Sequence, residues 1–196
     1  MVAVWIAQLA RGILALALGV TITLTLEHTA AFGFISFGIF AVLSSVVLLL
    51  AVLRGDYAGD RRFTFLMQAV ATLAAGVVAL AVPLGGVAFL GILVGAWALL
   101  TGLLEGASGI LSRGRSALAR DWILVGAATV VLGVVALVLP TDIAQAFSGE
   151  KGIAGTLTSS VILVGVVGAW AVVVGVLQSI SAVSVRGERT VEAVAS

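Results

Sequence analysis

Cysteine is absent from this sequence, which removes disulfides, thiolate nucleophiles and thiolate metal sites together. His28 is the only histidine, so no two-histidine metal motif can form, and a Ser-His-Asp triad could be built only around that one residue. Charge is scarce as well. Asp, Glu, Lys and Arg make up 10% of the chain, against about 25% in a soluble domain, too little to cover a surface in water. The net charge of +1 and the lack of any basic run interleaved with aromatics argue against a nucleic-acid partner. Lys151 is the single lysine and arginine supplies the other basic residues, a bias typical of a GC-rich bacterial genome.

Apolar residues fill the space that charge leaves. They form 62% of the chain, and the mean hydropathy is +1.30. A hydrocarbon core of about 30 Å needs roughly 20 apolar residues in a helix. Six stretches meet this, at 3–26, 30–53, 63–83, 87–112, 122–140 and 157–185. Lipid offers no partner for an open sheet edge, so runs of this length must be helices. The fold class expected is therefore all-α, a polytopic bundle of six transmembrane helices in a single domain over 1–185, with 186–196 as a tail. The first stretch lacks a lysine-rich start and a small-x-small cleavage site, and is expected to be a retained span rather than a signal.

The basic residues orient the bundle. Arg54, Arg61, Arg62, Arg113, Arg115, Arg120, Arg186 and Arg189 fall on one side of this arrangement and Lys151 on the other. By the positive-inside rule both termini, and the tail, are expected in the cytoplasm of a bacterial cell, with the bundle in its plasma membrane.

The odd helices superimpose. Gly76-Val77-Val78-Ala79-Leu80 recurs as Gly133-Val134-Val135-Ala136-Leu137, each run ending at a proline, Pro83 or Pro140, an offset of 57 residues (133 − 76). The same step backwards reaches Gly19. In the even helices Gly95-Ala96-Trp97-Ala98 recurs as Gly168-Ala169-Trp170-Ala171, and the step of 57 backwards from Gly95 reaches Gly38. This second interval is 73 residues (168 − 95), which places a 16-residue insertion (73 − 57) in the loop from Pro140 to Thr156. The chain is thus three parallel hairpin repeats, about 3–53, 63–112 and 122–185.

Small residues recur at fixed spacing: Ala15/Gly19, Thr72/Gly76 and Thr129/Gly133 on the odd helices, and Gly38/Ser45, Gly95/Gly102 and Gly168/Gly175 on the even ones, with Gly91, Gly106 and Gly109 near the same face of the fourth helix. Such seams let helix backbones approach where lipid gives no hydrophobic drive for association. Trp97 and Trp170, opposite the glycines, read as space-filling anchors, and Trp5 and Trp122 as interfacial belt residues.

At this point the chain resembles the HdeD-like family of small bacterial membrane proteins. The resemblance rests on Ala10-Arg11-Gly12-Ile13-Leu14 leading to Gly19, on Trp122 opening a span that closes with Gly133 and Pro140, and on Gly168-Ala169-Trp170-Ala171 followed by Gly175. It runs from about Trp5 to Arg186 and implies six membrane helices in short two-helix repeats and an association with acid or general stress resistance. It implies no catalytic residue. The chain departs from the pattern at Leu26, which stands in the proline position of the first repeat, and in the long last external loop. Mitochondrial-type carriers also have three hairpins, but Pro140-Thr141-Asp142 is followed by Ile143, Ala144 and Gln145 rather than the rest of their motif.

Arg11 and Glu105 are the ionisable groups expected inside spans, where each costs about 2.5–3.5 kcal/mol on insertion scales. The repeat aligns Arg11 with Gln68 and Glu105 with Gln178, which puts all four in one layer of the cytoplasmic half. An Arg11–Glu105 ion pair completed by Gln68 and Gln178 is expected, either as a proton or solute gate or, more plainly, as a structural pair or a snorkelling arginine. Thr21, Thr25 and His28, with Glu27 beside them, form a weaker stripe on the first helix. His28 and Glu27 are candidates for a pH-sensing external mouth, although threonine hydroxyls usually bond their own helix and a loop histidine is usually just solvated. The function expected is a non-enzymatic membrane protein, an accessory subunit acting through helix packing, with membrane lipids, other subunits or further copies of itself as partners, and with no metal or cofactor. The alternative is a small proton or solute channel built on the polar layer.

Overall fold

The computed structural model of the chain describes residues 4–55, 57, 59–148 and 154–195. Six helices alternate in direction: α1 (Val4–Leu24), α2 (Ala30–Leu53), α3 (Asp60–Ala81), α4 (Gly86–Leu111), α5 (Ala119–Val138) and α6 (Ser159–Ala195). All six are long and apolar enough to cross a membrane, and their outward faces carry Ile13, Val20, Ile39, Ile92, Leu103, Val131 and Ile180, all exposed. The protein is a multi-pass membrane bundle whose spans are all helical, with internal repeats.

The breaks have local causes. Arg54-Gly55 and Arg113-Gly114 end α2 and α4, and both glycines lie at positive φ, +78° and +73°, a region costly for any residue with a Cβ. Arg186-Gly187 occupies the matching place on α6, yet there the helix continues to Ala195. Residues 186–195, within the expected tail, continue α6 beyond the stretch apolar enough to cross a membrane, which ends at Arg186. Their composition of Glu, Arg, Ala and Val contains no further helix stop.

The long loop before α6 also differs from a plain connection. β1 (Ala144–Ser148) and β2 (Ala154–Thr158) pair antiparallel, Ala144 opposite Thr158 and Ser148 opposite Ala154. The hairpin is fastened to α6 by a reciprocal pair of bonds. Ile143 N–H donates to Ser159 Oγ at 2.9 Å, and Ser159 N–H to the Ile143 carbonyl at 3.2 Å. Of the loop's charges, Asp142 is described, while Glu150 and Lys151 lie outside the described residues.

The repeat hairpins are not the tightest units. The most extensive packing joins α5 to α4, α1 to α6 and α3 to α2, so each odd helix sits mainly on the even helix of the preceding repeat, and α1 closes the ring on α6. The glycine seams explain this. A Cβ on Gly76 would stand 2.9 Å from Val42 N, one on Gly133 2.9 Å from Leu99 N, and one on Gly19 3.0 Å from Val172 N. Those backbone nitrogens each lie four residues after Gly38, Gly95 and Gly168, and the three contacts are equivalent under the repeat. A second level joins Gly12 to Gly175 and Gly126 to Gly102. A Cβ on Gly106 or Gly165 would meet nothing within 4 Å, although the Gly106 backbone itself lies against Gly126.

Candidate functional site

Even helices place Phe40, Trp97 and Trp170 at equivalent positions on the inner axis. Their rings meet edge to face, with centroids 6.4 Å apart for Phe40–Trp97, 5.9 Å for Phe40–Trp170 and 5.5 Å for Trp97–Trp170. The two tryptophans are buried and do more than fill space. Trp97 Nε1 donates to Thr72 Oγ1 and Trp170 Nε1 to Thr129 Oγ1, each at 3.1 Å, so each bond ties the two helices of one repeat. The first repeat has Ala15 and Phe40 at these places and has lost donor and acceptor together.

A second set of rungs follows the same rule. Thr64 and Ser108 hydroxyls bond at 2.7 Å, and Ser181 Oγ donates to Asp121 Oδ2. The equivalents in the first repeat are Ala7 and Ala51, both buried and apolar.

Between these levels lies the polar layer. Arg11 Nη1 donates to Glu105 Oε1 and Nη2 to Oε2, both at 3.3 Å. The fork is bidentate but longer than the roughly 2.7–2.9 Å of a tight charge-assisted bond. Gln68 Nε2 donates to Glu105 Oε2 at the shorter distance of 2.7 Å. The Arg11 side chain is 11% exposed and that of Glu105 3%, so the pair is withdrawn from lipid. Gln178 is buried beside them but makes no side-chain hydrogen bond among the described residues. Three of the four expected residues are therefore directly joined, and the fourth lines the same space.

That space is a cavity of about 20 Å³, enough for roughly one water molecule. Its lining consists of five repeat-equivalent positions, among them Ser44, Thr101 and Val174 and the three aromatic residues above. Arg11 Nε and Gln68 Oε1 are buried without a hydrogen-bond partner among the described residues. Phe37, Val94 and Val167 close the axis on the side away from the arginines, while Tyr57, Phe65 and Trp122 close it on the arginine side. The Tyr57 and Phe65 rings lie 4.1 Å apart and those of Phe65 and Trp122 5.2 Å apart.

Sequence reasoning missed this second plug. Trp122, expected in an interfacial belt, is completely buried, because the repeat aligns it with Phe65 and Gln8 on the inner face. Gln8, three residues before Arg11, is also fully buried, and its amide finds no partner among the described residues. Its spacing from Arg11 was the available signal. Trp5 lies at the arginine end as expected, with the Arg186 guanidinium 5.4 Å from its ring centre.

His28 and Glu27 lie beyond the far end of α1 from the polar layer. His28 Nε2 is 2.9 Å from the Ile22 carbonyl, which makes the ring a local cap on α1, and Glu27 is exposed. Thr25 Oγ1 donates to the Thr21 carbonyl at 2.7 Å, bonding within its own helix turn. No group of three His, Cys, Asp or Glu that could hold a metal occurs among the described residues.

Fold and axis define a class: a six-helix membrane bundle of three two-helix repeats closed into a ring around a buried polar layer. Within that class the chain belongs to the family described as a short repeat of unknown function (DUF308), which matches residues 67–138 and 153–195, more than half of its length. The matched segments exclude the first hairpin, the one whose polar rungs are replaced by alanine and phenylalanine. No curated protein and no solved structure matches the chain.

Proposed function

We propose that the chain is a non-enzymatic protein of the bacterial plasma membrane, of the HdeD-like stress-associated type, which serves as an accessory subunit of a larger membrane assembly with both termini in the cytoplasm. The observation that carries this reading is the closure of the axis. Aromatic and aliphatic layers lie on both sides of a cavity that holds about one water, which supports a packing role over conduction. The arginines at one end of the bundle support the orientation. Purification in mild detergent should yield an assembly heavier than one chain, and the protein reconstituted alone in liposomes should pass protons no faster than empty vesicles. Proton flux from the isolated chain would overturn the reading.

A second reading, a small proton or solute gate, is favoured by one observation: Arg11, Glu105 and Gln68 meet on the axis itself. It requires flux that Glu105→Gln abolishes.

A further inference from the structure

The first hairpin lacks the hydrogen-bonded rung of the other two, and a crevice opens on its surface. Between α1 and α2 runs a crevice of about 170 Å³ lined by Leu14, Ala17, Leu18, Thr21, Ser36, Ile39, Phe40 and Leu43, nearly all apolar. A closed apolar cavity of about 150 Å³ admits a benzene-sized group, so this one accepts a segment of an alkyl chain. Its inner wall is Phe40, which also lines the axial cavity. One side chain therefore separates a crevice facing lipid from the polar centre of the bundle.

That side chain is held less firmly than its counterparts. Trp97 and Trp170 are each fixed by a bond to threonine. Phe40 has no N–H to donate and Ala15 stands at the threonine position, so packing alone holds it, with no hydrogen bond. Behind it, Arg11 Nε offers a donor and Gln68 Oε1 an acceptor, both buried, both on cavity-lining residues and both unpartnered among the described residues. A hydroxyl group donates and accepts at once and needs little more room than a water molecule. A carboxylate or phosphate is too large for about 20 Å³.

We propose that crevice and cavity form one binding site for a membrane-dissolved, single-chain amphiphile with a hydroxyl head. The tail lies between α1 and α2, the head reaches Arg11 Nε and Gln68 Oε1, and rotation of Phe40 admits it. This goes beyond the accessory role, whose tests are assembly mass and flux, and either can fail without the other.

The test uses the full chain in phosphatidylcholine nanodiscs and a long-chain alcohol bearing a mid-chain diazirine, with crosslinks mapped by peptide mass spectrometry. Adducts are expected on Leu14, Ala17, Leu18, Ile39 and Leu43, suppressed by excess dodecanol and not by dodecane. The double variant Ala15→Thr/Phe40→Trp copies the hydrogen-bonded rung of the other hairpins and should lose this labelling. Ala17→Phe, at an exposed position, fills the crevice from the lipid side, leaves the core untouched and should lose it too. Adducts spread evenly over outward residues such as Ile13, Ile92 and Ile180, equal competition by dodecane, or labelling that persists in Ala17→Phe would each overturn the site.

Discussion

The Arg11–Glu105 pair shows how a single residue is constrained by the solvent around the fold. Two charges in a low-dielectric interior are tolerable only together, and losing one partner from a buried pair costs about 3–5 kcal/mol because the survivor is left uncompensated. Glu105→Leu should therefore lower stability by about that amount in denaturant titrations in detergent, stranding Arg11 and freeing the Gln68 amide. The double variant Arg11→Leu/Glu105→Leu should recover most of the loss, since apolar replacement of a whole pair is often neutral or stabilising. A double variant no more stable than Glu105→Leu alone would mean that the pair has a structural role beyond mutual neutralisation. The tryptophan rungs make a gentler claim. Trp97→Phe and Thr72→Ala should each destabilise, and a double-mutant cycle should give a coupling of about 0.6 kcal/mol, the mean for such bonds in membranes. The first hairpin, with Phe40 and Ala15, is the natural form of that double change. A coupling near zero would show that packing alone positions the rings.

At the scale of the element, the helices are set by hydrophobic length and their mutual approach by glycine. A Cβ on Gly126 would lie 2.5 Å from Gly106 N and 2.6 Å from Gly102 O. These are backbone atoms, so α4 and α5 would have to separate. Gly126→Ala is expected to cost about 1–3 kcal/mol, the range for overpacking. Gly165→Ala, with open space around the new methyl, should be neutral or stabilise by up to about 1 kcal/mol through helix propensity. Equal effects in thermal unfolding would rule out the seam as the source of packing. These elements were legible because length and apolarity in lipid leave few alternatives: the second span coincides with α2, and the others begin and end within a few residues of their helices, except that α6 runs on to Ala195, ten residues past the expected span. The insertion before α6 was located from the repeat offset, but its strand pairing was not, since five-residue strands in a glycine-rich segment carry too little periodicity. The inward Trp122 was misread for a related reason. Position along a helix suggests a belt residue, and only the repeat alignment with Phe65 reveals the face.

At the scale of the whole molecule, the repeat was visible in the sequence but the ring was not. Offsets of 57 and 73 residues say that three hairpins are alike. They do not say that each odd helix leaves its own partner to pack on the preceding even one, because that choice depends on which seam each glycine face meets. Ring closure has a testable consequence. α1 packs against α6, and the Arg186 guanidinium lies over the Trp5 ring, so the first and last spans end side by side at the arginine end. A short Gly/Ser linker from Arg186 to Val4 should close the chain, and a cut between Gly114 and Arg115 should reopen it. Gly114 lies at positive φ in a connection between helices, the kind of site where permutation succeeds. Both new termini fall at the same end as the old ones, so the arginines stay on one side and insertion polarity is preserved. The permuted chain should insert, keep the protection of Glu105 from aqueous carbodiimide, and unfold within a few degrees of the parent. If it inserts but exposes Glu105, the ring is held by the severed α4–α5 connection rather than by the three glycine seams, and the equivalence of the hairpins is one of sequence only.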